Sequence, residues 1–376
     1  MKKLVIVSAD EIILYQPTIL NLYSFLGSHF DVSIITFEPE YLGKARDESK
    51  NIIYIQPGKF KKTFFRTTDL LVNAITKRVH KYLFSFPRRS SFFRKYKAKM
   101  LADTVAGYKD CIFIAVDLMP LYVVQKQAGA THFLSLEIMP GDPYLAKIRT
   151  ELISSVVIQS RERYQVLFND KIIPTFFIQN APMLSYKAIA DGRREGLVWA
   201  GTVVKEFGVL SCFDFIDSYP QYSLVCKGAV EKKTKLIIEK KYQALLLSKK
   251  VILDSTYLAA GKFTKYLSAF RIGFCFYSWE LIRSNINYET APSGKLFMYL
   301  AAGVPVIAAD ISAFKFIEEF GAGVLVADYL PATIQKAVEK IEANHQHYSQ
   351  NCYRAFEENC FDKNAISFRD FLLKDD

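Results

Sequence analysis

The chain has no uncharged apolar run long enough to cross a membrane, a length of roughly 18 residues or more. Its longest candidate, residues 296–309, is broken by Gly303 and Pro305. The first residues, Met1-Lys2-Lys3-Leu4-Val5-Ile6-Val7-Ser8, carry too short an apolar core for a secretory signal, so the expected location is the cytoplasm. Six cysteines (Cys111, Cys212, Cys226, Cys275, Cys352, Cys360) show no CxxC spacing, which speaks against a zinc site or a disulfide framework. Three of them lie in apolar strand-like runs, as small buried thiols do. His345 and His347 flank one residue of a polar stretch, a solvated pattern more than a metal pair. No Asp-x-Asp triplet occurs, so a common means of holding a metal-bound diphosphate is missing and no metal is expected. Nor does a Gly-x-Gly-x-x-Gly follow the first strand, where Ser8-Ala9-Asp10-Glu11 stands; this disfavours a nicotinamide dehydrogenase. A Walker-type phosphate loop is also absent, because Glu289 holds the place of its first glycine and Leu296 follows Lys295.

What is present points to two α/β domains. At 376 residues, 51% of them apolar, the chain is long for one core and has enough apolar material for two. Strand-like runs fall at residues 3–8, 32–37, 52–55, 111–116, 132–136, 155–159 and 173–179. A polar, turn-rich segment follows at 191–196, and a second series then runs through 197–201, 222–226, 251–253, 272–277, 305–309 and 323–326. Helical patterns at 18–26, about 64–106 (broken at Pro87) and 331–344 lie among them, and the last thirty residues also have helical spacing. Strands alternating with helices imply parallel sheets and Rossmann-like domains.

The net charge of +11 is concentrated in one place. Residues 59–99 hold thirteen Lys or Arg against a single acid, Asp69, so the rest of the chain is close to neutral. Phenylalanines and tyrosines are interleaved with these cations, a composition that suits an anionic membrane surface or single-stranded nucleic acid. No RNA-binding signature accompanies it, and the glycine-poor, phenylalanine-rich pattern favours lipid headgroups over nucleic acid. The expected docking residues are Arg88, Arg89, Phe92, Phe93, Arg94, Lys95, Lys97 and Lys99.

The most informative stretch is residues 292–307, Pro-Ser-Gly-Lys-Leu-Phe-Met-Tyr-Leu-Ala-Ala-Gly-Val-Pro-Val-Ile. Ser293 can cap a helix, and Gly294 admits a close approach to the backbone. Lys295 stands in the first helical turn, unfavourable for a cation against the helix dipole unless an anion rests there. Gly303 ends the helix, Pro305 prevents its continuation, and a buried parallel strand follows.

This segment resembles the donor-binding segment of GT-B glycosyltransferases; the match is detailed over residues 197–327 and organisational before that. The resemblance implies an α/β GT-B fold, two doubly wound Rossmann-like domains facing a central cleft. Residues 1–190 would then form an acceptor domain, 191–345 a donor domain, and 346–376 a helical segment crossing back to the first. It implies a nucleotide-sugar donor, such as a UDP- or GDP-sugar, whose diphosphate meets Ser293, Gly294 and Lys295. The loop after the first strand of the second domain, with Gly201, Thr202 and Lys205, would approach the same diphosphate. There the family's arginine position is Thr202 and its lysine position Phe207. In the retaining branch Glu289 would face the donor sugar; the second acid of that pair falls at Met298.

A catalytic base belongs at the C-terminal end of a first-domain strand. Glu137, after His132-Phe133-Leu134-Ser135-Leu136, fits that place, and Asp117 and Asp10 rival it. The expected function is therefore metal-independent transfer of a sugar to a lipid-linked (polyprenyl) or cell-surface glycan acceptor, at the inner face of the cell membrane and without a cofactor. The alternatives are a non-catalytic GT-B-like scaffold or chaperone subunit, and a nucleotide-sugar epimerase.

Overall fold

The structure is a computed structural model that describes every residue except 11–12, 14–15, 39–49, 59, 62, 69, 72–91, 129, 140, 193 and 375–376. The chain forms two compact units, Met1–Ile158 with Asp170–Phe176, and Gln159–Asn169 with Phe177–Asp376. Residue 190, expected as a boundary, lies inside the second unit.

The first unit holds a seven-stranded sheet of order β3-β2-β1-β4-β5-β6-β7. Its strands are β1 (Lys3–Val7), β2 (Asp31–Phe37), β3 (Ile52–Ile55), β4 (Ile112–Val116), β5 (Thr131–Leu134), β6 (Ile153–Ile158) and β7 (Thr175–Phe177). The pairs from β3 through β6 are all parallel. β1 reads Lys-Leu-Val-Ile-Val, and everything after Lys3 is buried, as a strand covered on both faces requires. The apolar run expected at 132–136 leaves the ladder early. Asp117 Oδ1 accepts the amides of Leu136 (2.8 Å) and Glu137 (3.0 Å), so a carboxylate replaces the next strand partner.

The long helical expectation at 64–106 resolves into helical residues between 60 and 71 and the helix Phe92–Val105. Pro87 and the docking candidates Arg88 and Arg89 lie outside the described residues.

The second unit holds a six-stranded, wholly parallel sheet of order β10-β9-β8-β11-β12-β13. The strands are β8 (Leu197–Ala200), β9 (Leu224–Lys227), β10 (Val251–Asp254), β11 (Ile272–Cys275), β12 (Val306–Ala309) and β13 (Gly323–Val326). Side chains alternate across it with the two-residue period of a strand. Leu197, Trp199, Phe274 and Ile307 join one core, and Val198, Ala200, Val306 and Ala308 join the other. The helix Gly294–Ala301 covers the second face together with His345–Asn359.

Both sheets change winding direction beside their first strand, between β1 and β4 and between β8 and β11. In open α/β sheets ligands bind outside the carboxyl ends of strands at such switch points. In the second unit Tyr299 closes the gap there. Its phenol is fully buried, accepts from the Ala200 amide at 2.6 Å, and lies within 3.3 Å of the carbonyls of Val198 and Phe274. A Cβ on Gly273 would come within 2.7 Å of that ring, so the glycine makes room for it.

Candidate functional site

The second unit's candidate site is built around Lys295. Its backbone lies in the first turn of Gly294–Ala301, as the sequence implies. Ser293 occupies the N-cap position but makes no capping bond with its side chain, which corrects the capping expectation. The helix start is therefore left without a side-chain acceptor of its own.

Lys295 Nζ lies 3.8 Å from the centre of the Trp199 ring, 5.5 Å from that of Tyr277 and 5.9 Å from that of Phe207. These rings form a three-sided aromatic cage, and a cation over such faces is attracted by roughly 0.5–2 kcal/mol. Each ring is itself held. Trp199 is fully buried on β8 and its indole N–H donates to the Thr202 carbonyl at 3.3 Å. Phe207 meets Tyr277 edge to face at 5.8 Å. Lys295 is half-buried, and desolvation holds its ammonium below the ordinary lysine pKa. Among the described residues it forms no salt bridge, and its nearest neighbours are these π faces.

The loop after β8 roofs this lysine. A Cβ on Gly201 (φ +95°) would sit 3.9 Å from Lys295 Cδ. Gly228, after β9, packs so closely under Gly201 that a Cβ there would lie 2.2 Å from the Gly201 oxygen. Gly294 approaches Asn180 less closely, with Nδ2 standing 3.1 Å from an added Cβ. Gly201, Gly294 and Lys295 are thus brought together.

The remaining donor candidates are placed differently. Thr202 is exposed and contributes its carbonyl to Trp199. Lys205 is exposed and lies 3.8 Å from Glu206, with its amide bonded to Thr234 Oγ1, so it faces solvent rather than the cage. Glu289 is exposed on the short helix Ile286–Thr290, and its carbonyl accepts from Ser312. Nearby, Lys227 at the end of β9 is 2% exposed and bonds Asp254 at 2.7 Å and Thr256, with its ammonium 5.0 Å from the Tyr266 ring.

The first unit carries a cavity of about 610 Å³ at its own switch point. All three acids singled out from the sequence line it: Asp10 after β1, Asp117 after β4 and Glu137 after β5. Their surroundings separate their roles. Asp10 accepts from the Gln16 amide group. Asp117 adopts φ +61° and ψ 176°, a region nearly reserved for glycine, and its carboxylate is held by the two amides described above. Glu137 is exposed, and its carboxylate accepts no hydrogen bond among the described residues. It is the acid that can take a proton without first breaking an internal bond.

The cations of the helix Phe92–Val105 divide between two faces. Phe93, Arg94 and Lys97 line this cavity, with Arg66 and Leu70. Arg94 pairs with the buried Asp142, and Lys97 donates to the Ala9 carbonyl at 3.0 Å with its ammonium 4.3 Å from the Phe37 ring. Their contacts place them on the cavity wall, so among the docking candidates they are the ones with partners inside the first unit. Phe92, Lys95 and Lys99 are exposed.

Sequence reasoning missed the aromatic cage, because Trp199, Phe207 and Tyr277 come from three separated elements and each reads as core. The available signal was Trp199, one of only two tryptophans, standing two residues before Gly201. Among the described residues no group of His, Cys, Asp and Glu is arranged to hold a metal ion.

Two doubly wound α/β units in succession, each with a parallel sheet and a site-bearing switch point, define the GT-B fold. Solved structures match over the full chain. One is a trehalose-6-phosphate protein from E. coli bound with UDP-2-fluoro glucose (TM-score 0.72, 11% identity, 99% of each chain). Another is a sucrose-phosphate synthase from Thermosynechococcus elongatus (TM-score 0.69, 14% identity, 100% of this chain and 99% of that one). A third is an alpha,alpha-trehalose-phosphate synthase (UDP-forming) from Burkholderia xenovorans in complex with glucose-6-phosphate (TM-score 0.68, 10% identity, 99% and 100%). At such identities the likeness establishes the fold. No protein-family model matches the sequence, and a search of the curated proteins finds no match.

Proposed function

We propose that the chain is a glycosyltransferase that moves a sugar from a nucleotide-sugar donor to a hydroxyl of a saccharide acceptor, without a metal. The observation that carries this reading is the Lys295 ammonium, fixed at a helix start on the carboxyl edge of a doubly wound sheet and lacking an acidic partner among the described residues. Breaking a glycosyl–phosphate bond leaves the bonding electrons on the terminal phosphate, adding one negative charge to the two that the nucleotide diphosphate already carries. A cation and the amides of Gly294 and Lys295 at a helix start are suited to receive them. Glu137 acts as the base in this reading, accepting the proton of the attacking hydroxyl in the first unit's cavity.

The acceptor proposed is a lipid-linked or cell-surface glycan, presented at the inner face of the cell membrane. Exposed apolar residues beside the lysines of the first unit support it: Phe60 is 85% and Phe64 58% exposed. No described helix is long and apolar enough to cross a membrane, so the contact would be peripheral. A soluble sugar phosphate, as held by the Burkholderia xenovorans structure, is the competing acceptor.

The test is a panel of UDP- and GDP-sugars against the wild type and Lys295→Ala, read by melting temperature and by donor consumption with each acceptor class. A donor at 100 times its Kd stabilises a protein by about 2.7 kcal/mol, so binding is easily seen. Donor-dependent stabilisation lost in Lys295→Ala supports the reading. No stabilisation by any donor points instead to a non-catalytic GT-B-like subunit, favoured by Phe207 standing where a second diphosphate cation was expected. Donor turnover without acceptor would indicate epimerisation.

A further inference from the structure

We infer that the outer face of the first unit carries an anionic-lipid headgroup site, formed by Lys95, Lys99, Lys126 and Lys147 around the Tyr122–Tyr144 ring pair. It rests on the docking part of the proposed function and is independent of the transfer chemistry.

The four lysines line a cavity of about 320 Å³ between the helices Phe92–Val105 and Leu118–Gln127. No acidic residue is among those lining it. All four lysines are exposed, and none makes a salt bridge among the described residues. Their neighbours are π faces instead. Lys126 Nζ lies 4.7 Å from the Tyr122 ring centre, and Lys147 Nζ lies 5.7 Å from the centres of both Tyr122 and Tyr144. The two rings are 5.2 Å apart and tilted by 44°, and Tyr144 is 5% exposed, so the floor is rigid. Four lysines lining one cavity with no acid among its lining residues give it a positive potential, which an anion with several oxygens relieves.

The occupant is identified by what adjoins the cavity. Lys99 also lines a groove of about 540 Å³ walled by Phe60, Phe64, Phe65 and Tyr96, with Lys61 and the single acid Asp103 at its rim. Phe65 stacks on Tyr96 at 5.0 Å, while Phe60 and Phe64 stay exposed. A soluble phosphate would use the lysines and leave the phenylalanines idle. A phospholipid surface uses both, with headgroup phosphate on the lysines and the upper acyl region on the rings. Two of the four lysines, Lys126 and Lys147, lie well outside the basic segment of the sequence; Lys126 stands in the last turn of the helix Leu118–Gln127 and Lys147 comes from the turn Leu145–Lys147, and only the fold brings them in.

The test uses the full chain with vesicles of phosphatidylglycerol in phosphatidylcholine, against phosphatidylcholine alone, in a co-sedimentation assay. Binding is expected only to the anionic vesicles. The double variant Lys126→Gln/Lys147→Gln should bind them about thirty-fold more weakly, taking roughly 1 kcal/mol per lysine at an anionic surface. Phe60→Ser/Phe64→Ser should weaken vesicle binding as well. Unchanged vesicle binding in the lysine variant overturns the site. So does displacement of wild-type protein from vesicles by millimolar glycerol phosphate, which would make it a site for soluble phosphate. Donor turnover with a water-soluble acceptor should be unaltered in the lysine variant, which separates failure of this site from failure of the transfer reading.

Discussion

Lys295 Nζ stands 3.8 Å from the centre of the Trp199 ring, closer than any other aromatic contact of that lysine. The pairing joins the end of β8 to the first turn of the helix Gly294–Ala301, across the switch point of the second sheet. It keeps a cation in a place where the helix dipole opposes it.

The first prediction follows from that opposition. Desolvation lowers the Lys295 pKa, so the folded state binds this proton less tightly than the unfolded chain. Stability should then rise as the pH climbs from the depressed value toward the ordinary lysine range. On the proposed role of the ammonium, donor affinity should fall over the same interval. Lys295→Met should remove both pH dependences, raise the melting temperature at neutral pH and lower kcat/KM by about 10²–10³-fold. Thermal melts and donor titrations between pH 7 and about 10 check it; a variant that keeps the pH-dependent donor affinity contradicts it.

The acids of the first unit should respond differently to substitution. Glu137→Gln should lower kcat by about 10²–10⁴-fold and leave donor affinity and melting temperature unchanged, because the carboxylate is exposed and unbonded. Asp117→Ala should cost about 1–3 kcal/mol of stability, since the amides of Leu136 and Glu137 lose their acceptor. Asp117→Asn keeps an acceptor oxygen and should retain most activity. Loss of activity in Asp117→Asn as deep as in Glu137→Gln would move the base assignment to Asp117.

Much of this arrangement was legible in the sequence. The central strands β1, β8, β11 and β12 coincide with apolar runs because a parallel strand covered on both faces must be apolar almost throughout, while the edge strands β3, β7 and β10 are only partly buried. Lys295 stood out because a lysine in a first helical turn needs an electrostatic reason. What could not be read is which way long side chains turn. Arg94 and Lys97 stand among the docking cations in the sequence, and only the fold brings Asp142, 48 residues away, against Arg94. The aromatic cage was hidden for a related reason, since rings that will face a cation carry the same pattern as rings that fill a core.

A third prediction concerns Lys227 and Asp254, bonded at 2.7 Å with Lys227 almost wholly buried. The Lys227 ammonium and the Thr256 hydroxyl lower the Asp254 pKa from 3.8 to about 2. The stability from this pairing is therefore full above pH 4 and lost as the pH falls through about 2. Asp254→Asn should cost about 2 kcal/mol at neutral pH, the size implied by the lowered pKa, by removing the carboxylate partner of a buried ammonium. Adding Lys227→Met should recover most of it and flatten that acid limb. Chemical denaturation of the single and double variants at pH 3 and 7 decides the matter; equal losses in both would contradict it.

The last prediction tests the roof over Lys295. Gly228 has φ +151°, and an added Cβ would lie 2.2 Å from the Gly201 oxygen. The obstacle is backbone, so no rotamer change can relieve it; the loop after β8 must move. That loop carries Gly201, which overlies Lys295 Cδ, and the Thr202 carbonyl that orients the Trp199 ring. Gly228→Ala should therefore cost at least about 1–3 kcal/mol in backbone strain alone and weaken donor binding together with stability. Gly261→Ala is the matched comparison. Gly261 is helical, its added Cβ would meet only the Tyr186 ring at 3.5 Å, and the exchange should be neutral or stabilising by about 0.5–1 kcal/mol. Donor affinity and melting temperature of both variants are the measurements. Unchanged donor affinity in a folded Gly228→Ala protein would show that the loop after β8 does not shape the diphosphate site.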